Sequence, residues 1–180
     1  LERKVVQVPA RSKKTFRFQI DPPADAPRGQ CRFMLAIEGV NPAHKALIES
    51  GTGASLALPV NGRIAVAVYY NVNGAEPKLE LREVKMAEIN GKRVPAVRVH
   101  NAGDAHGRLD GSLDAKDARG TEFELVPDGT PILPGQTRLI ALSPKADAKT
   151  PPPAPAYPLA SKGTLDWDRG SFKISAEFRQ

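Results

Sequence analysis

The chain has 180 residues, 41% hydrophobic and 26% charged; these are the proportions of an ordinary folded protein, and the length suits one large domain or two small ones. No apolar run approaches the roughly 18 residues a membrane helix needs, so membrane insertion is not expected. The formal charge of +6 admits anionic partners, but the densest basic group, Arg11, Lys13, Lys14 and Arg17, has only Phe16 and Phe18 as aromatic company, too narrow a face to indicate nucleic acid.

The chain opens on Leu1 with no charged-then-apolar leader, the expectation for a processed or trimmed sequence. Fifteen Gly and 17 Pro punctuate short segments, and between them apolar residues recur at every second position, the period of half-buried strands. Lys4–Pro9 and the run Phe16, Phe18, Ile20 fit this pattern, as does Cys31, Phe33, Leu35, Ile37. Further strands are expected at Leu56–Val60 and Ile64–Tyr70. Asn61–Gly62 between them reads either as a hairpin turn or as a kink in one long strand, and the kink is preferred. The strand pattern breaks at Asn71–Pro77.

Beyond that break, strands are expected at Lys78–Ile89, Arg93–Asn101, Arg108–Lys116, Thr121–Val126 and Thr137–Ser143. Within Lys78–Ile89 the apolar phase slips from Leu79 and Leu81 to Val84 and Met86, which a β-bulge near Glu83 would absorb; a short helix is the competing reading. Asn90–Gly91 between alternating runs predicts a hairpin. Asp128–Gly129 and Pro134–Gly135 mark further turns, and Asp168–Gly170 joins the Trp167 segment to a last strand in which Phe172, Ile174, Ala176 and Phe178 alternate with polar residues. Pro151, Pro152, Pro153, Pro155 and Pro158 read as a stiff exposed loop, because cutting there would strand a two-strand fragment too small to fold alone.

The fold expected is all-β: two immunoglobulin-like β-sandwich domains. Residues 1–72 form the C-terminal part of the first, which lacks its N-terminal strands. Residues 76–180 form the second, with about the seven strands such a sandwich needs.

Chemical constellations are sparse. Cys31 lies at an inward position of its strand and reads as a small core residue; a single cysteine excludes an internal disulfide, and with three dispersed histidines it cannot close a zinc site. His100 and His106 read as parts of a polar turn, since no third ligand lies at a useful spacing. Gly51-Thr52-Gly53 lacks the rest of a phosphate loop. Asp114 with Asp117, and Asp166 with Asp168, read as solvated turn chemistry rather than acid–base pairs. Trp167, Tyr69, Tyr70 and Tyr157 could line a carbohydrate-stacking surface, but a lone Trp in a sandwich more often plugs the core. No catalytic, cofactor or metal site is expected, and the chain is read as a non-enzyme.

Three passages carry a resemblance. Val8-Pro9-Ala10-Arg11-Ser12-Lys13-Lys14-Thr15-Phe16-Arg17-Phe18, followed by Pro27-Arg28-Gly29-Gln30-Cys31-Arg32-Phe33, is similar to a proline, turn and strand passage late in the first domain of the periplasmic pilus-assembly chaperones of the PapD-like type. Leu56–Val66 resembles that domain's last strand. Val97-Arg98-Val99-His100-Asn101-Ala102-Gly103 with Pro131–Arg138 resembles two passages of the second domain. The resemblance implies a periplasmic chaperone of pilus or fimbrial subunits acting by donor-strand complementation, in which an exposed edge strand completes a pilin-like subunit with an incomplete immunoglobulin fold. It implies that Leu56, Leu58 and Val60 insert into the subunit and that Arg63 anchors its terminal carboxylate. The family's second basic anchor, an arginine of the first strand, has no counterpart in this sequence. Self-association through the same edge is a further expectation, and a structural or adhesive immunoglobulin-like module of the cell envelope is the alternative.

Overall fold

The computed structural model describes residues 3–40, 44–49, 55–60, 62–146 and 154–180, with 44–49 and 55–60 described by their backbone alone. These residues form eleven strands and no helix: β1 Gly29–Glu38, β2 His44–Glu49, β3 Ser55–Val60, β4 Arg63–Val72, β5 Leu79–Ile89, β6 Lys92–Asn101, β7 Asp110–Lys116, β8 Glu122–Pro127, β9 Thr137–Pro144, β10 Leu159–Trp167 and β11 Gly170–Phe178. The chain divides into two compact units, Leu1–Ala26 with Cys31–Tyr70, and Pro27–Gln30 with Asn71–Gln180.

The second unit is an immunoglobulin-like sandwich. Its strands run in the order β11-β10-β7-β8-β9-β6-β5, every described pair antiparallel. β9 belongs to both layers: Thr137–Ala141 pair with β6, and Leu142–Pro144 pair with β8. That switch sets β5 and β6 in one layer and β7, β10 and β11 in the other, the division of first, second and fifth strands from third, sixth and seventh that defines this sandwich. β5 and β11 come back into contact where the layers meet.

Alternation in sequence becomes alternation in burial. Along β11, Ile174 and Phe178 are buried and Phe172 and Ala176 half-buried, while Ser171, Lys173, Ser175 and Glu177 face out. The inward side chains of both layers, among them Val97, Leu113, Leu125, Ile140 and Leu165, form one continuous core. The expected phase slip in β5 is present: its register with β6 jumps between Leu81 and Glu83, leaving Arg82 as the bulged residue. Leu79 and Leu81 before the bulge and Val84 and Met86 after it therefore reach the same core, and no helix forms. Asn90 and Gly91 take φ of 52° and 72° between the paired Ile89 and Lys92, a two-residue hairpin of the primed kind.

The first unit is built differently. Its pairings are nested, β1 with β4 and β2 with β3, giving two two-stranded sheets. β3 and β4 take different partners and are not paired with each other; Asn61, on which the choice between hairpin and kink turns, lies outside the described residues. No hydrophobic side chain described in this unit is buried.

Three expectations fail in this unit for related reasons. Lys4–Pro9 and Phe16–Ile20 are not strands. The first ends in a turn at Pro9–Ser12, where Ser12 N and Oγ both donate to Pro9 O and Arg11 takes φ 56°. In the second, Phe18 packs edge-on against Phe33, with centroids 6.3 Å apart, but its backbone has no ladder to join. Cys31 is exposed rather than a core residue. An alternating pattern states which side a residue takes, and among the described residues nothing covers this side to bury it.

Candidate functional site

β3 and β4 carry the residues picked out in the sequence. Leu56, Leu58 and Val60 occupy alternate positions of β3, opposite Ile48, Ala46 and His44 of β2; their side chains lie outside the described residues. Arg63 opens β4 and is exposed, with no carboxylate partner among the described residues. The even-numbered apolar positions continue past it: Ile64 is 64% exposed and Val66 45%, and Val68 is half-buried. Among the described strands, β3 is hydrogen-bonded only to β2 and β4 only to β1. Each thus keeps one edge on which backbone N–H and C=O groups meet no strand.

Such an edge can accept an incoming extended segment through main-chain hydrogen bonds, while side chains at every second position offer apolar contact. The first unit exposes more apolar surface elsewhere: Val5, Val8, Phe16, Met34, Ile37 and Val40 are all 48% exposed or more. Isolated exposed hydrophobes are ordinary, but a unit in which no described hydrophobic side chain is buried is not.

The other sequence candidates have structural partners in the second unit. Asn101 is fully buried and uses all its capacity: Nδ2 donates to Ala105 O and Ile132 O, both at 2.8 Å, and Oδ1 accepts from Lys78 N and Gly103 N. It pins the loop after β6 to the loop before β9. Gly103 lies in that loop where a Cβ would come within 2.3 Å of Glu76 O, so only glycine fits. His100 Nδ1 is 2.9 Å from Thr137 Oγ1, whereas His106 receives Gln30: its Nδ1 lies 2.8 Å from Gln30 Nε2, and its backbone N–H donates to Gln30 Oε1. The two histidines do not converge, and no group of three metal-ligating side chains occurs among the described residues.

Asp117 departs from the solvated role expected of it. Its side chain is buried, accepting from the backbone N–H groups of Arg119, Thr121 and Ala156 and from the Arg119 guanidinium. Burial pushes its carboxyl up, but those donors outweigh it and hold the group down to about 2. Through Ala156 and the Arg119 bond to Ala154 O, Asp117 ties the end of the proline-rich segment to the β7–β8 turn; its earlier part, and Gly51-Thr52-Gly53, lie outside the described residues. Asp104, which the sequence did not single out, bonds Arg28, and that contact together with the Glu76 N–H holds its carboxyl below the usual range. Nothing local signals a partner 76 residues away. Trp167 stacks on Phe172 at 5.8 Å and packs against the core, the plug role rather than an open platform.

No family model matches the chain, and no curated protein is found similar to it. Among solved structures, a crystal structure of the YadV chaperone aligns over 86% of this chain and 65% of its own length, with 12% identity and a TM-score of 0.39. The chain therefore spans just under two thirds of that protein.

Proposed function

We propose that this chain is a non-enzymatic chaperone that lends a strand to an immunoglobulin-like subunit with an incomplete fold, as the pilus-assembly chaperones it resembles in sequence do. The observation that carries the proposal is the first unit's combination of strand edges unpaired among the described strands with exposed apolar residues at alternate positions of β4. A surface of this kind is an aggregation liability in isolation and a binding site when a partner strand covers it. Leu56, Leu58 and Val60 fill the subunit's groove, Ile64 and Val66 extend the same side, and Arg63 holds a carboxylate of the subunit. The compartment is the periplasm, where a chain with a single thiol needs no disulfide to fold.

The test is recovery of a small immunoglobulin-like subunit with the full chain from periplasmic extract, repeated with Leu58→Glu. A carboxylate in an apolar groove costs about 3 kcal/mol, roughly a hundredfold in affinity, so the variant should lose the subunit. Equal recovery by both, or none by either, would leave the chain as a structural module of the cell envelope.

A further inference from the structure

Charge separates the two units as sharply as burial does. The first unit has nine Lys and Arg against five Asp and Glu, and the second has 17 against 15. In the second unit nine of the cations pair with a carboxylate, among them Arg28 with Asp104, Arg119 with Asp117 and Arg169 with Glu76. In the first, Arg3 pairs with Glu38 at 3.6 Å, while Arg11, Lys13, Lys14, Arg17, Arg32 and Arg63 have no carboxylate partner among the described residues. Two of these exposed charges lie on the sheet itself, Arg32 on β1 and Arg63 at the start of β4.

Resting on the strand-lending reading above, we infer that the first unit selects a partner strand flanked by acidic residues and rejects a second copy of this chain. Three occupants could cover an exposed apolar and basic surface. A second copy would bring an equal excess of positive charge against this one, and like-charge juxtaposition suppresses that pairing. An anionic bilayer would satisfy the cations and the apolar side chains but not the free backbone N–H and C=O groups of β3 and β4, which find no partners in hydrocarbon. An acidic extended segment satisfies all three features at once: ladder hydrogen bonds, alternate apolar contacts and neutralised arginines.

The test uses the full chain and a strand-forming peptide of alternating valine and threonine, made once with a triple-Asp tail and once with a triple-Lys tail. At about 50 mM salt the acidic peptide should bind at least about tenfold tighter than the basic one, and the gap should close near 500 mM, where screening is short-ranged. The double variant Arg32→Glu/Arg63→Glu should lose the preference, and Lys173→Glu, on the second unit's β11, should keep it. Equal binding of the two peptides overturns the charge preference and leaves strand lending standing. Binding of neither overturns strand lending and the preference with it. Capture of the chain by phosphatidylserine vesicles without binding of either peptide, or dimerisation in dilute salt in place of peptide binding, overturns the inference in favour of a membrane or a second copy.

Discussion

The second unit encloses a core and the described side chains of the first do not, although both are built from strands with the same two-residue apolar period. In the second unit, seven strands present their inward residues to each other, and Val97, Leu113, Leu125 and Leu165 reach zero exposure. In the first, Ile64, Met34 and Ile37 remain at least 60% exposed on strands of equal regularity. Periodicity therefore specifies the face a side chain takes, and a second layer decides whether that face is buried. Both units end in strands with one unpaired edge, β5 and β11 in the second and β3 and β4 among the described strands of the first; the first differs in the exposed apolar residues that its described strands carry.

The contrast can be broken by paired truncations. Leu125→Ala should lower stability by about 3 kcal/mol through lost burial and a residual cavity, whereas Ile64→Ala should stay within about 0.5 kcal/mol. Urea titration of each variant measures both, and equal losses would mean that Ile64 is covered. A somewhat smaller effect is expected of Asn101→Ala, about 2 kcal/mol, since two backbone amides and two carbonyls lose their common partner. Its midpoint should fall without a change in denaturant slope.

Acid sharpens the comparison further. Asp117 has its carboxyl held down to about 2, below an unfolded value near 3.9. Its contribution is complete above the unfolded value and is lost as pH falls from about 4 towards 2. Melting temperature followed over that window should fall less steeply in Asp117→Asn, although Asp104 and Glu83, also held low by Arg28 and Lys85 respectively, keep some slope in the variant. The smallest effect is expected on the open unit. Ile64→Ser with Val66→Ser should leave the melting temperature unchanged and reduce binding of an apolar fluorescent dye, because those side chains stabilise nothing in the free chain.

Much of the second unit is legible in the sequence. The bulge follows from the phase slip between Leu81 and Val84, the hairpin from Asn90–Gly91, and the last strand from the alternation at Phe172–Phe178; each is a local signal. Asn101 stood out within an Asn-x-Gly passage, but its four hydrogen bonds join segments that only the folded chain brings together. Asp117 was legible as turn chemistry and not as a buried carboxylate, because its burial depends on Ala156 arriving from 39 residues away. Phe16–Ile20 and Cys31 misled for the opposite reason: the local pattern was sound, and the neighbour that would have turned it into a buried strand is not among the described elements. The strand β2 went unread because the consecutive apolar residues Ala46, Leu47 and Ile48 break the two-residue alternation.

Residue-resolved hydrogen exchange of the free, full chain tests most directly whether the first unit has an unpaired edge. Amides of β6, β7 and β10 should be strongly protected, while in β4 those not directed at β1 should exchange at least about a hundredfold faster. Protection of every β4 amide to the level of the second unit's central strands would show that edge already covered, and would contradict the reading of this chain as a lender of strands.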